Sequence, residues 1–185
     1  LAGDIGGTKT RLGTFAVDAA GLRLLDERSF PSEEAAGLEE ILAGYLGAAA
    51  PGLRAACFGI AGPVTGRRVR TTNLPWVVDA GELERSTGIP AVRLINDLEA
   101  TAWGVVGVEE AKVRVLAAGA PGARGNAAVI AAGTGLGEAG IFSDGEVTRP
   151  FACEGGHASF SPTDEQGDRL LAFLRSQYQT VSWER

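Results

Sequence analysis

Two short polar motifs in this 185-residue chain contain the residue types that bind hydroxyl groups and move protons. In Leu94-Ile95-Asn96-Asp97, a predicted strand runs into a predicted helix. Side chains at such strand ends face clefts in α/β proteins. Asp97 could therefore act as a general base beside the amide of Asn96. The same pair is also a good helix N-cap, which needs no further role.

The second motif, Glu154-Gly155-Gly156-His157, contains the single histidine of the chain. Two consecutive glycines permit an abrupt bend, so Glu154 and His157 could converge on one ligand. A structural hydrogen-bond donor is the alternative interpretation of the histidine. Metal binding is disfavoured, because one histidine and a distant cysteine do not give metal-ligand spacing.

Glycine is abundant, with 27 residues, and it clusters in short turns between apolar runs. One turn is Gly6-Gly7-Thr8-Lys9-Thr10, shortly after Asp4, and the other is Gly133-Thr134-Gly135-Leu136-Gly137. Backbone amides of such turns can surround a phosphate, and the hydroxyls of Thr8 and Thr134 could add donors. Asp4 could hold Mg²⁺ directly or through water. Ordinary glycine-rich hairpins remain the alternative.

Two nucleotide-binding motifs match these turns only in part. Gly135-Leu136-Gly137-Glu138-Ala139-Gly140 fits GxGxxG, but that fingerprint must open a helix and here a hairpin follows. Gly7-Thr8-Lys9-Thr10 lacks the glycine that directly precedes the lysine of a P-loop. We therefore exclude both the dinucleotide-binding and the P-loop interpretations.

Composition excludes several classes of protein. The net charge of −6 argues against a nucleic-acid-binding surface. No apolar run approaches the roughly 18 residues of a membrane span, and no signal peptide is visible at Leu1-Ala2-Gly3-Asp4. Cys57 and Cys153 lie far apart and form no disulfide framework. These features predict a protein of the reducing cytoplasm.

Hydrophobic periodicity predicts a mixture of strands and helices. Strands are expected at 1–5, 11–17, 22–30, 55–60, 67–71, 91–95, 113–118, 127–132, 138–142 and 146–148, and helices at 38–49, 79–86, 97–106 and 164–177. Asp79 is a good N-cap for the second of these helices. An antiparallel meander is followed by parallel βαβ units, and the strand–glycine turn–strand unit then occurs again. The pattern predicts an α/β protein with two similar domains, 1–107 and 108–185.

The two glycine turns together resemble those of the actin, hexokinase and heat-shock-chaperone ATPase superfamily, in which two such hairpins grip the nucleotide phosphates. The resemblance implies a ribonuclease H-like (actin-like ATPase) fold. That fold has a mixed five-stranded sheet flanked by helices in two similar domains, and here the second domain would be incomplete.

The whole chain resembles the bacterial glucokinase family. Motifs in the matching order are residues 4–11, 59–66, 72–76, 96–97, 133–137, 154–157 and 182–185. The resemblance implies that glucose hydroxyls are bound by Asn96, Asp97, Glu154, His157 and Glu184, with Asp97 as the base for the 6-hydroxyl. It implies that phosphates are bound by Asp4, Gly6, Gly7, Thr8, Lys9, Gly133, Thr134 and Gly135, and that Asp4 holds Mg²⁺.

The function implied by this resemblance is ATP-dependent phosphorylation of glucose to glucose 6-phosphate, feeding glycolysis. A homodimer is expected from the resemblance alone. The related ROK sugar kinases carry a cysteine-rich zinc loop after their Glu-x-Gly-His motif. Here residues 158–162 contain no cysteine, which favours a zinc-free glucokinase.

Two alternatives stay open. One is a kinase for a related hexose such as mannose or glucosamine. The other is a sugar-binding fragment without catalysis, because the family is longer and its nucleotide half would be missing. On that view the chain is a truncation, and the isolated 185 residues have little or no kinase activity.

Overall fold

The computed structural model describes residues 1–19, 21–47, 52–133 and 135–184. The chain forms two compact units, Leu1–Ala100 and Thr101–Arg185. The first unit contains a mixed five-stranded sheet and a small antiparallel sheet, and the second contains an antiparallel three-stranded sheet. The α/β class with a mixed five-stranded sheet is confirmed. The domain boundary after residue 107 stays a prediction.

The first unit is built on a five-stranded sheet in the order β3-β2-β1-β4-β8. Its strands are β1 (Ala2–Ile5), β2 (Lys9–Asp18), β3 (Gly21–Pro31), β4 (Ala56–Ile60) and β8 (Val92–Asn96). The first three form the predicted antiparallel meander, whereas β4 lies parallel to β1 and β8 lies parallel to β4. The carboxyl ends of β1, β4 and β8 therefore meet at one edge.

Helices and a small second sheet complete this unit. The helices are α1 (Leu38–Leu46), α2 (Ala80–Thr87) and α3 (Asp97–Val106), and the small sheet is β5 (Val64–Thr65), β6 (Arg68–Arg70) and β7 (Val77–Asp79). Asp79 caps α2 as predicted, because its Oδ1 accepts hydrogen bonds from the amides of Gly81 and Glu82. Gly88 ends that helix in the left-handed conformation, with φ 72°.

The core of the first unit lies between the sheet and helices α1 and α2. Leu38, Ile41, Leu42 and Tyr45 are buried at helical spacing along α1, and Phe58 and Ile60 are fully buried on β4. Because strand side chains alternate between faces, Gly59 points to the opposite face of the sheet. A Cβ at Gly59 would lie 2.8 Å from Ala100 Cβ, so this glycine allows α3 to approach the sheet closely.

The second unit contains an antiparallel sheet in the order β11-β10-β9. Its strands are β9 (Ala127–Ala132), β10 (Leu136–Ser143) and β11 (Thr148–Cys153), and helix α4 (Glu165–Arg175) follows. Short 3₁₀ turns lie at Glu110–Lys112 and Gly155–His157. Asp164 caps α4, because its Oδ1 accepts a hydrogen bond from the amide of Gly167. None of the helices in the described part of the chain has the length and hydropathy needed to cross a bilayer.

Some predicted elements differ from the structure. The strand predicted at 113–118 is wrong: within the described ranges this segment pairs with no strand, and Leu116 is 88% exposed. An apolar run forms a strand only where a neighbouring backbone supplies hydrogen bonds. Strands β5 and β7 were not predicted. The second hairpin strand of this unit begins at Thr148 and extends to Cys153, five residues past the predicted end.

Candidate functional site

The first glycine turn joins β1 to β2, and three of its carbonyl groups are occupied within the unit. The carbonyl of Lys9 accepts a hydrogen bond from the amide of Gly6 at 3.0 Å. Ser32 bonds the other two, with its amide donating to the Thr8 carbonyl at 3.0 Å and its hydroxyl donating to the Gly6 carbonyl at 2.8 Å. Hydrogen bonds to its carbonyl groups therefore fix the conformation of the turn.

Of the predicted phosphate residues, Gly6, Gly7 and Thr8 form this turn and Lys9 is the first residue of β2. A Cβ at Gly7 would lie 2.8 Å from Asn73 Cβ, so the loop that contains Asn73 packs directly on the turn. Trp76, at the end of that loop, is 3% exposed and donates its indole N–H to the Ala35 carbonyl. Trp76 is thus a core residue that anchors the loop.

Asp4 and Asp97 lie at the same end of the same sheet face. Asp4 pairs in register with Gly59, and the space above Gly59 is bounded by the Cα of Asp97, 3.7 Å from where a Cβ would stand. Burial raises the pKa of the half-buried Asp97 carboxyl above its ordinary value. The Leu98 amide opposes this shift, whereas the negative charge of Asp4 adds to it. A raised pKa suits a general base.

Asn96 is buried, with 6% of its surface exposed, and its side chain caps helix α3. Its Oδ1 accepts hydrogen bonds from the amides of Leu98 at 2.9 Å and Glu99 at 3.2 Å. Its Nδ2 donates to the Gly62 carbonyl at 3.3 Å, and a hydrogen bond from Asn96 also lowers the pKa of Asp97. The capping role that the sequence left open is confirmed, and it fixes Asn96 beside the Asp97 carboxylate.

The second glycine turn joins β9 to β10 in the second unit. It closes through a hydrogen bond of 2.9 Å from the Gly133 amide to the Gly135 carbonyl, and Thr134 lies outside the described residues. The carboxylate of Glu184 occupies the space that a side chain at Gly135 would need. This turn is therefore packed against a negatively charged side chain.

Glu154, His157 and Glu184 come together in the second unit. His157 Nδ1 lies 3.4 Å from Glu154 Oε2 and 3.3 Å from Glu184 Oε2. The side chains of His157 and Glu154 are 68% and 57% exposed, and that of Glu184 is 29% exposed. The bend between Glu154 and His157 is a single 3₁₀ turn, as the two glycines predicted. The arrangement presents two carboxylates and an imidazole to solvent.

Backbone pairing brings Glu184 to this bend across a long sequence separation. The amide of Glu184 donates to the Gly156 carbonyl, and the amide of Trp183 donates to the Ala158 carbonyl, both at 3.1 Å. The rings of Phe160 and Trp183 add an edge-to-face contact with centroids 4.9 Å apart. These contacts fix the position of Glu184 although its own segment has no regular structure.

Strand β10 supports the bend, and it contributes a carboxylate that the sequence did not identify. The Leu136 carbonyl occupies the space beside Gly156, and the Glu138 carboxylate occupies the space beside Gly155. Side chains at both glycine positions would therefore collide with β10. Glu138 pairs in register with Cys153 and is partly buried. The pairing of β10 with β11 is what brings it beside Gly155.

A divalent cation was expected at Asp4. Within the described ranges, no group of three or more His, Cys, Asp or Glu side chains is arranged to hold a metal ion. Mg²⁺ commonly uses only one or two protein carboxylates, completed by substrate phosphates and water. The Asp4 carboxylate, near the end of β1 beside the first glycine turn, fits that limited donor set.

Comparison with known proteins places these features in a family. A family model described as Glucokinase matches residues 1–185. A glucokinase of Nostoc punctiforme is 38% identical over 189 residues, covering all of this chain and 55% of that protein. The crystal structure of glucokinase from an Antarctic psychrotroph superimposes with a TM-score of 0.78 and 30% identity, over 99% of this chain and 58% of that one.

A second solved structure supports the fold alone. Glucokinase from Balamuthia mandrillaris, crystallised in complex with glucose, is 23% identical, with a TM-score of 0.67 over 99% of this chain and 57% of that one. The chain thus spans a little over half the length of the curated relatives and solved structures that it matches.

Proposed function

Because the chain belongs to the glucokinase family, we propose that the protein containing it transfers the γ-phosphoryl group of ATP to the 6-hydroxyl of glucose. The products are glucose 6-phosphate and ADP. The observation that carries this proposal is Asp97, a half-buried carboxylate fixed beside Asp4 at the carboxyl edge of the sheet, next to the first glycine turn.

Asp97 is the general base in this proposal. Its carboxylate accepts the proton of the 6-hydroxyl as that oxygen attacks the γ-phosphorus, and the bond to the ADP oxygen breaks. Burial and the charge of Asp4 raise its pKa, so the carboxylate holds a proton more readily than an exposed aspartate. Asn96, locked in its capping position, keeps the carboxylate in place.

The first glycine turn binds phosphate groups. The carbonyls of Gly6, Thr8 and Lys9 are satisfied by the protein's own donors, and the Gly6 amide is used for one of these bonds, so the amides that follow Gly6 are the groups we assign to an anion. Lys9 and Thr8 in this turn add a positive charge and a hydroxyl. We assign Gly133, Thr134 and Gly135 to phosphate as well, from their family motif. Mg²⁺ held by Asp4 would neutralise charge on the phosphates during transfer.

Glu154, His157 and Glu184 bind sugar hydroxyls. Two carboxylates lie beside Nδ1, so an N–H at that nitrogen can donate to them, and Nε2 is left to face a sugar hydroxyl. Carboxylates accept hydrogen bonds from hydroxyls, and a sugar epimer with a misplaced hydroxyl leaves one of them unpaired. The cluster therefore suits a neutral polyhydroxylated substrate such as glucose.

The proposal extends to the location, zinc independence and oligomeric state of the protein. We place the protein in the cytoplasm, as a zinc-independent enzyme that forms a homodimer and uses glucose and ATP. The nature of the hexose and the phosphoryl donor are the parts most open to direct measurement.

The test is a substrate panel on the full-length gene product. Glucose, mannose and glucosamine are assayed with ATP, ADP and polyphosphate as donors, with and without Mg²⁺. We expect the highest kcat/KM for glucose with ATP and Mg²⁺. Absence of ATP-dependent phosphorylation of any hexose would contradict the proposal, and a preference for mannose or glucosamine would correct its substrate.

A further inference from the structure

Ser32 lies immediately after strand β3, where the sequence offers no motif. It is fully buried, and so is Thr10 on the neighbouring strand. The Ser32 hydroxyl donates to the Gly6 carbonyl at 2.8 Å, and the Thr10 and Ser32 hydroxyl oxygens lie 2.9 Å apart. Since the single Ser32 proton goes to Gly6, Thr10 must donate to Ser32. The Thr10 hydroxyl thus donates to the Ser32 hydroxyl, which donates to the Gly6 carbonyl in the turn.

The backbone of Ser32 makes a second bond to the same turn, because its amide donates to the Thr8 carbonyl at 3.0 Å. Ser32 therefore binds two carbonyls of the turn, that of Gly6 and that of Thr8. Hydrogen bonds in such a chain polarise and strengthen one another. Ser32 and Thr10 are fully buried, so a hydroxyl of either that loses its partner is costly, and the turn prefers the orientation that keeps both bonds.

The orientation of these carbonyls determines that of the next amides. The described chain has no cis peptide bond. In a trans peptide the C=O and the following N–H point in opposite directions. With the Gly6 and Thr8 carbonyls directed at Ser32, the N–H groups of Gly7 and Lys9 point away from it. These are the donors through which a turn of this type binds phosphate.

We propose that Ser32, supported by Thr10, is a positioning residue that sets the amides of the first glycine turn for the phosphates of ATP. This inference rests on the proposed function for the identity of the anion. Ser32 does not touch the substrate. It acts by fixing the turn, so the predicted effect concerns nucleotide binding and phosphoryl transfer and leaves the sugar cluster of the second unit unchanged.

The experiment uses the full-length protein with Ser32→Ala, and with Ser86→Ala as a matched control. Ser86 also donates its hydroxyl to a backbone carbonyl, but within helix α2. For Ser32→Ala we expect kcat/KM for ATP to fall about 10-fold to 100-fold, the range for a misplaced binding group. Glucose binding, followed by calorimetry, should stay close to wild type. Ser86→Ala should change neither quantity.

A second pair of variants distinguishes loss of the Thr10 hydroxyl from a general loss of folding. Thr10→Val removes the hydroxyl at constant shape, whereas Thr10→Ser keeps it. Thr10→Val should weaken ATP binding, measured by calorimetry without glucose, and Thr10→Ser should restore it. Equal ATP affinity in Thr10→Val, Ser32→Ala and wild type would overturn the inference, whatever the enzymatic activity. Failure of the wild type to phosphorylate any hexose would instead contradict the proposed function.

Discussion

At the first glycine turn, Ser32 donates hydrogen bonds to the carbonyls of Gly6 and Thr8 from the buried interior. At the second, the carboxylate of Glu184 lies against Gly135. The two turns have similar sequences and the same strand–turn–strand setting, yet one is supported by neutral donors and the other by a negative charge. Donors to the carbonyls of a turn direct its amides outward, whereas a carboxylate beside a turn disfavours a second anion there through like-charge repulsion.

The two sets of candidate sugar residues differ in the same way. Asn96 is buried and held by three hydrogen bonds, and Asp97 is half-buried beside it. Glu154 and His157 are more than half exposed, and the contacts of His157 Nδ1 with the carboxylates of Glu154 and Glu184 are 3.4 Å and 3.3 Å long. The comparison predicts that the proposed catalytic and phosphate groups of the first unit are more rigidly held, and that the second turn positions Glu184 in addition to its proposed phosphate contacts.

The largest effect is expected from Asp97→Asn in the full-length protein. Loss of a general base lowers kcat by roughly 10²-fold to 10⁴-fold, while asparagine keeps the acceptor that bonds the Leu98 amide. Steady-state kinetics measure the fall in kcat, and calorimetry measures whether the variant still binds glucose. Glu82→Gln, in the first turn of α2, is the control and should behave as wild type. Near-wild-type turnover in Asp97→Asn would remove Asp97 from the base role.

The next prediction compares the two turns directly through Gly7→Ala and Gly135→Ala. At Gly7 the new Cβ would meet Asn73, so we expect kcat/KM for ATP to fall by about 10-fold to 100-fold. At Gly135 it would displace the Glu184 carboxylate, so the main change should be a raised KM for glucose.

The matched control for both variants is Gly44→Ala, which lies in helix α1 with open space around it and should stabilise the protein by about 0.5–1 kcal/mol. If both turn variants impair ATP alone, the distinction between the turns is wrong.

A smaller effect is expected from Glu184→Gln. Removing the charge replaces a hydrogen bond worth about 1.5–3 kcal/mol by a neutral one worth about 0.5–1.5 kcal/mol, so KM for glucose should rise roughly 10-fold with kcat less affected. The effect is limited because the side chain stays in place through its backbone bonds to Gly156. Glu165→Gln, an exposed carboxylate on α4, provides the control. An unchanged KM would exclude Glu184 from sugar binding.

The smallest expected effect concerns stability and pH. Because the pKa of Asp97 is raised on folding, the folded protein binds more protons than the unfolded chain between the two pKa values. The free energy of unfolding therefore falls as pH rises through that window. In Mg²⁺-free protein, Asp97→Asn should be more stable than wild type at neutral pH, and the difference should vanish below the ordinary aspartate pKa. Urea unfolding across pH measures it, and a constant difference would contradict the shift.

Much of the first unit follows from local sequence. The meander, helix α1, the Asp79 cap and the strand that leads into Asn96-Asp97 were all predicted, because periodicity, capping residues and glycine positions act over a few residues. The bend at Glu154–His157 follows likewise from its two glycines. The prediction of a strand at 113–118 was wrong because apolar composition alone does not supply a partner backbone.

Other features required the tertiary structure. Ser32 belongs to no motif and Glu138 only to the rejected GxGxxG match, and their importance comes from strands that bring them to Gly6 and Gly155. The sequence alone determined which residue types could bind phosphate and sugar and roughly where the chain turns. Only strand pairing and the packing of α3 on Gly59 decided which groups meet, which carboxylate is buried and which turn is backed by donors. Those outcomes depend on contacts between residues distant in sequence, which local propensity does not encode.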